Sequence, residues 1–203
     1  MLEACPTGIS HRLLGPRTAF LIGTIDECQG LRLCAASNVT SAGTDPEMVV
    51  LALTHDSTTA TNILRHSEFT INLMAGRWLD AIWIAGYRYS GVERPPDANV
   101  FALTGLTAAP SRLLSAPGVE EAMASLECRV VEALTNHGNH AIFLAEIIGA
   151  KRNPDSFDER GVLALERGGP AMQISGAHFA TPVPHPSPST ARCNALVASR
   201  SKG

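Results

Sequence analysis

Short apolar runs separated by turn-forming positions dominate the first part of the chain. Residues 18–25 (TAFLIGTI), 31–37 and 48–53 (MVVLAL) are rich in aliphatic and β-branched side chains, and Gly30 and the pair Asp45-Pro46 lie in the gaps. Runs of this length and composition are typical of β-strands. The pattern therefore predicts a hairpin followed by a third strand.

One helical period interrupts these strands. Ser57 is a suitable N-cap, and apolar residues recur at helical spacing in the segment from Thr58 to His66. Residues 69–73 (FTINL) then return to strand-like composition. We predict a short helix followed directly by a fourth strand.

The second half of the chain is less regular. Residues 78–85 fit a helix, and residues 88–99 contain Gly and Pro and are interpreted as a loop. Two further strands are expected at residues 125–134 and 141–150, joined by the turn at residues 135–140. With one clear helix among six or more strands, the pattern favours a closed or nearly closed antiparallel barrel over a doubly wound α/β fold.

Residues 162–165 and 171–174 are interpreted as short closing strands. We expect an N-terminal extension at residues 1–15, one barrel domain at residues 16–181, and a tail at residues 182–203. The tail is rich in proline, serine and small residues, which is typical of an extended or disordered segment.

Composition narrows the possible functions. The net charge of −3 and the aromatic content of 5% argue against nucleic-acid partners, and no apolar stretch is long enough to span a membrane. No leader peptide is evident, and scattered cysteines without CxxC spacing indicate reduced thiols, so we expect a cytoplasmic protein. The cysteines are Cys5, Cys28, Cys34, Cys128 and Cys193.

Two hydroxyl-rich stretches carry candidate chemistry. Residues 37–44 follow the second strand, and residues 54–62 cross from the third strand into the start of the helix. A helix start offers unpaired backbone N–H groups, to which hydroxyls add further donors, so a phosphate fits there. The alternative is that these residues only cap the helix and fill turns.

The turn Gly138-Asn139-His140 is the other candidate. A histidine at the start of a strand can face a cleft as a donor or proton carrier, but it can equally be a surface turn residue. His137 and His140 lack a third ligand at a persuasive spacing, although Glu146 and His178 stay open, and we predict no metal site. Trp78 and Trp83 are interpreted as core or interface residues.

The order of these segments resembles the flavin reductase-like, FMN-binding split-barrel family, which includes the flavoredoxins. The resemblance covers about residues 16–180, and its strength is the co-linear order of moderately specific pieces. The matching pieces are Pro16-Arg17-Thr18, Ala35-Ala36-Ser37-Asn38, Thr61-Asn62-Ile63, EFTINL at residues 68–73, and GNHAIFLAEI at residues 138–147.

The resemblance implies a mainly β fold, an antiparallel split β-barrel with a few flanking helices. It also implies a homodimer with one FMN per subunit near the interface, and NADH or NADPH as co-substrate. His140 would lie where the nicotinamide stacks. The residues that would border the ring are Ala36, Ser37, Asn38, Val39 and Thr40, and those that would receive the phosphate and ribityl chain are Thr54, Asp56, Ser57, Thr58, Thr59, Thr61 and Asn62.

This chain departs from the family pattern in two places. Asn139 stands where the family usually has an aspartate, which removes a carboxylate beside His140, and Glu47 stands where the second of two prolines is usual. We expect an NAD(P)H-dependent flavin reductase whose reduced flavin serves a monooxygenase or another electron acceptor. The alternatives are a flavoredoxin-type electron carrier and an FMN enzyme that acts on a small organic substrate.

Overall fold

A computed structural model describes residues 2–86, 90–93, 95, 98–136, 138–185 and 189–200, without the side chains at 195, 196 and 198–200. The chain forms twelve described strands. They are β1 (Arg17–Thr18), β2 (Phe20–Ile25), β3 (Leu31–Ala36), β4 (Val39–Thr44), β5 (Glu47–Thr54), β6 (Glu68–Leu73), β7 (Ala108–Ala109), β8 (Gly118–Val119), β9 (Ala124–Leu134), β10 (His140–Arg152), β11 (Met172–Ser175) and β12 (His178–Ala180).

Seven of these strands form one antiparallel sheet in the order β3-β2-β6-β9-β10-β5-β4. Strands β3 and β4 lie at opposite edges of the sheet, yet only Ser37 and Asn38 separate them in sequence. A two-residue connection can join the two edges only if the sheet curves back on itself. The result is the mainly β split barrel that the sequence predicts.

Smaller elements flank the barrel. Strands β1, β11 and β12 form a three-stranded sheet, and β7 pairs with β8. The described α-helices are α1 (Thr58–His66), α2 (Leu79–Ala85), α3 (Val100–Thr104) and α4 (Thr190–Arg200).

Side chains on the two faces of the sheet fill separate cores. Along β2, Leu21 belongs to the cluster that packs against α2 and α3, whereas the next residue, Ile22, belongs to the cluster inside the barrel. This alternation follows from the period of two in a strand. The inner cluster includes Phe69 and Phe143, both fully buried, and each side chain of this size stabilises the fold by about 1.5–3 kcal/mol.

One buried amide connects three parts of the fold. The Asn72 side chain is fully buried; its Nδ2 donates to the Leu21 carbonyl and the Thr70 hydroxyl, each at 3.0 Å. Its Oδ1 accepts from the Val119 backbone N–H at 3.0 Å. Asn72 thus connects β6 to β2 and to β8. Because β2 pairs with β3, this connection also supports β3.

The predicted strands at the hairpin, at residues 48–53 and 69–73, and at the long pair β9–β10 are confirmed, as is α1 with its Ser57 cap. The structure adds β4, which sequence reasoning treated only as a hydroxyl-rich stretch. Its VTSAGT sequence lacks an apolar alternation because this edge strand is largely exposed, and backbone pairing with β5 holds it.

Two later interpretations were wrong. Residues 162–165 form no strand, because Asp158 accepts backbone N–H groups from Arg160 and Val162 and closes a tight turn there. The tail contains α4, where we expected an extended or disordered chain. Its Ala- and Leu-containing sequence favours a helix, and the Ser189 hydroxyl accepts from the Arg192 N–H at its start. Part of the loop expected at residues 88–99, and His137, lie outside the described residues.

Candidate functional site

A cavity of about 940 Å³ lies along the edge of β3. Its walls come from the β3 residues from Arg32 to Ala36, from the end of β5, from the start of α1 and from His140. In the described part of the chain β3 pairs only with β2, so its other edge borders the cavity without a strand partner. Such an edge borders the space that a ligand would occupy.

The start of α1 forms one end of this cavity. Ser57 has an extended backbone and its Oγ accepts from the Ala60 N–H at 3.1 Å, which caps the helix. Thr58 and Thr59, the first two helical residues, line the cavity together with Asp56. A helix start carries a partial positive charge and N–H groups that lack intrahelical partners, so this end favours an anion.

Arg32 lies on the cavity wall as part of an ion pair. Its guanidinium pairs with Asp26, with Nη2 2.7 Å and Nε 2.8 Å from Oδ2. Hydrogen bonds from the Gly30 N–H and then from the Arg32 side chain hold the pKa of Asp26 below its usual range. The turn between β2 and β3 therefore fixes the direction in which Arg32 leaves the strand.

His140 lies where β10 meets the cavity. The backbone of His140 is opposite Thr54 in the sheet, and its Nδ1 is 2.7 Å from the Asn139 Oδ1. Because an amide oxygen only accepts, Nδ1 carries the proton and Nε2 is left as an acceptor. Partial burial, and then the neighbouring His55, lower the pKa of His140, which favours the uncharged imidazole.

A polar group lies at another part of the cavity wall. Arg17 on β1 donates from Nη1 to the Asn38 Oδ1 at 2.8 Å. Beside it, the Ser37 hydroxyl donates to the Gln173 Oε1 at 2.7 Å, and Gln173 is opposite Arg17 across β1 and β11. All four residues line the cavity.

Aromatic side chains supply an apolar wall. Trp83 on α2 and Phe179 on β12 line the cavity and pack edge to face, with ring centroids 5.7 Å apart and an interplanar angle of 89°. We interpreted Trp83 as a core or interface residue from sequence, and the structure gives it a face on the cavity. Trp78 packs against the core cluster that contacts α2 and α3, as expected for a core residue.

Most of the candidate residues meet in this one cavity. The nine that line it are Ala36, Ser37, Asn38, Thr54, Asp56, Ser57, Thr58, Thr59 and His140.

Four other candidates lie elsewhere. Asn62 is buried and its Nδ2 donates to the Thr24 hydroxyl at 3.1 Å. Thr61 is exposed and its hydroxyl donates to the Ser57 carbonyl, which keeps it on the helix surface. Val39 packs against the inner core, and Thr40 is exposed on β4.

Sequence reasoning missed several residues that line the cavity, including Arg17, Arg32, Gln173 and Phe179. Arg17 lies in a segment already noted for its resemblance, and a cation there was a usable signal. Nothing in the sequence pattern connects Gln173 with Ser37, which are 136 positions apart. Among the described residues, no three histidine, cysteine or acidic side chains cluster as metal ligands.

Comparison with known proteins identifies relatives of the whole barrel. A family model described as flavin reductase like domain matches residues 14–170. An uncharacterized protein of Pyrococcus abyssi (strain GE5 / Orsay) is 31% identical over 150 residues, which cover 73% of this chain and 81% of that protein. No described helix is long and apolar enough to cross a membrane.

Two solved structures share the fold. A flavoredoxin from Methanosarcina acetivorans matches with a TM-score of 0.79 and 18% identity, covering 97% of this chain and 98% of that chain. Nitrilotriacetate monooxygenase component B from Bacillus cereus matches with a TM-score of 0.78 and 18% identity, covering 93% and 98%. At this identity the likeness shows a common architecture, and function has to be argued from the site.

Proposed function

This chain belongs to the flavin reductase-like domain family and is a flavin-related oxidoreductase, and we propose that it binds FMN and reduces it with NADH or NADPH. One observation carries the proposal. A single cavity joins the capped start of α1, the edge of β3 that has no strand partner among the described residues, and His140, whose pKa is lowered by burial. The reduced flavin would serve a monooxygenase or another electron acceptor.

The residues at the helix start fit the phosphate of FMN. Thr58 and Thr59 offer backbone N–H groups and hydroxyls, and Ser57 orders the first turn through its cap. The Arg32–Asp26 ion pair borders the same cavity. An unphosphorylated flavin would leave these donors without an anion, so this end of the cavity selects FMN over riboflavin.

The remaining wall fits a planar heterocycle. The edge of β3 and the connection at Ser37 and Asn38 border the cavity, while Trp83 supplies an apolar face. The volume of about 940 Å³ is at the upper end of the range for cofactor sites. Such a cavity has room for a co-substrate beside the cofactor.

The chemistry that FMN supplies when bound is hydride acceptance from nicotinamide and electron transfer to an acceptor. His140 contributes a hydrogen bond to this process. With its Nδ1 proton directed to Asn139, the Nε2 lone pair can accept from the carboxamide N–H of the nicotinamide. Asn139 orients the ring without adding charge, which agrees with the lowered pKa of His140.

The test is anaerobic mixing of the FMN-loaded protein with NADH and, separately, with NADPH. We expect at least one of them to bleach the flavin absorbance rapidly in a single turnover. His140→Ala should retain FMN but slow the bleaching roughly tenfold or more, because one hydrogen bond to the co-substrate is worth about 1–3 kcal/mol.

The control is His178→Ala, which removes an exposed histidine outside the cavity and should leave the rate unchanged. An unaltered rate in His140→Ala would remove that residue from the reaction. Very slow bleaching of the unmodified protein by both nucleotides would instead favour an electron carrier of the flavoredoxin type.

We also propose that the protein is a homodimer. Leu64, Val131 and Leu134 are 50%, 63% and 39% exposed. The bond from the Val130 N–H to the Ser67 carbonyl brings the end of α1 next to β9, so Leu64 and Val131 lie in the same region. A two-fold axis through this surface would bury the same apolar side chains on both subunits.

Light scattering should give a mass of twice the 21.5 kDa of one chain. Val131→Lys, which places a charge on the exposed apolar surface, should shift the protein toward the monomer. An unmodified protein that is monomeric with FMN fully bound would contradict the dimer.

A further inference from the structure

We propose that Arg17 is the residue that selects the reduced, anionic form of the bound flavin. This inference rests on the proposed function, because it assigns a role within the same cavity. Arg17 lines the cavity, and Asn38 holds its Nη1 at 2.8 Å. Its Nε is buried and has no hydrogen-bond partner among the residues that the structure describes.

In the described part of the chain, no acidic side chain forms an ion pair with Arg17. By contrast, Arg32 pairs with Asp26 and Arg65 pairs with Glu27. A buried N–H group without a partner destabilises a fold, so its retention on a cavity wall points to a ligand that satisfies it. An acceptor with negative charge satisfies both the free N–H and the unpaired charge.

We assign Arg17 to the ring rather than to the phosphate. It bonds to Asn38, whose carbonyl accepts from the Ala52 N–H at 2.9 Å, so the residue that holds the guanidinium lies beside Ala52 on β5. From there the chain runs about 7 Å along the strand to Thr54 before it turns into the helix start. The phosphate site, at Ser57, therefore lies beyond this point, and Arg17 is left for the ring.

The flavin ring changes charge when it is reduced. Addition of two electrons and one proton to the uncharged oxidised ring gives an anion, with its charge spread over N1 and O2 of the pyrimidine portion. A fixed cation in a partly desolvated site binds this anion more tightly than the neutral ring. Asn38 acts as a positioning residue, because its amide oxygen orients the guanidinium without cancelling its charge.

The experiment measures the midpoint potential of bound FMN, by anaerobic titration against a reference dye, and the Kd of oxidised FMN. In Arg17→Gln we expect little change in the Kd of oxidised FMN and about a tenfold loss of affinity for the reduced form. That loss corresponds to a midpoint potential about 30 mV more negative, since tenfold in a two-electron couple is 29.6 mV. Arg17→Lys, which keeps the charge, should restore part of the difference.

A second variant tests the same charge without removing Arg17. Asn38→Asp places a carboxylate beside the guanidinium and should also make the potential more negative. The matched control is Arg160→Gln, because Arg160 is an exposed cation outside the cavity, and its loss should leave the potential unchanged.

The outcomes separate this inference from the proposed function. If the unmodified protein fails to bind FMN, the proposed function fails and this inference fails with it. If the unmodified protein binds FMN and both Arg17→Gln and Asn38→Asp keep its potential, the role of Arg17 is overturned while the proposed function stands. An equal loss of affinity for both redox forms in Arg17→Gln would likewise overturn it.

Discussion

Asn72→Ala should lower the free energy of unfolding by about 3 kcal/mol or more, the largest effect we expect from a single substitution. The side chain is fully buried and bonds to the Leu21 carbonyl and the Val119 N–H. Alanine leaves the Val119 N–H buried without its partner and removes one of the bonds to the Leu21 carbonyl, and a buried group left unpaired costs about 1–3 kcal/mol. The cavity left by the lost amide adds to this destabilisation.

Urea denaturation followed by circular dichroism measures the effect. The matched control is Asn136→Ala, since Asn136 is exposed in the turn before β10 and its substitution should change stability by less than about 0.5 kcal/mol. A stability of Asn72→Ala within that same margin would show that water or a rearranged neighbour satisfies the two groups. The prediction also implies weaker flavin binding in Asn72→Ala, because β2 supports the strand that borders the cavity.

FMN should bind about a hundredfold or more tightly than riboflavin. The two flavins differ only by the phosphate, and the start of α1 offers it N–H groups, hydroxyls and the positive end of the helix. Two charge-assisted hydrogen bonds at about 1.5 kcal/mol each give about 3 kcal/mol, which is more than a hundredfold in Kd.

Titration calorimetry with both flavins checks this expectation. The double variant Ser57→Ala, Thr58→Val should weaken FMN binding at least tenfold and leave riboflavin binding unchanged. Thr61→Val is the control, because Thr61 lies on the same helix but outside the cavity, with its hydroxyl on the Ser57 carbonyl. Equal affinities of the unmodified protein for the two flavins would refute the phosphate site.

The local elements were largely readable from the sequence. Strands such as β2 and β5 were predicted correctly because burial leaves a pattern in their sequences. Strand β2 is buried on both faces and forms a continuous apolar run, whereas β5 has buried residues at alternate positions. The helix α1 was predicted correctly because an N-cap residue, Ser57, directly precedes a segment whose apolar residues recur at helical spacing. Strand β4 was missed because pairing through the backbone alone leaves no such pattern.

The candidate site was partly readable in the same way. Hydroxyls at a helix start and a histidine after a turn are local signals, and both border the cavity. Asn62 shows the limit of that reasoning: its position in the hydroxyl-rich stretch suggested a ligand contact, but the helix turns it inward to bond to Thr24. The position of a residue in a short helix does not by itself predict whether its side chain will face the core or the cavity.

The sequence by itself determined most of the long strands, the capped helix and the type of chemistry that its resemblance implies. The tertiary structure decided which of these segments meet. Curvature of the sheet joins its two edges through Ser37 and Asn38, and the β1–β11 pairing sets Gln173 opposite Arg17. Contacts between positions far apart in the chain depend on strand register and sheet closure, and these are set by the packing of the whole core rather than by local periodicity.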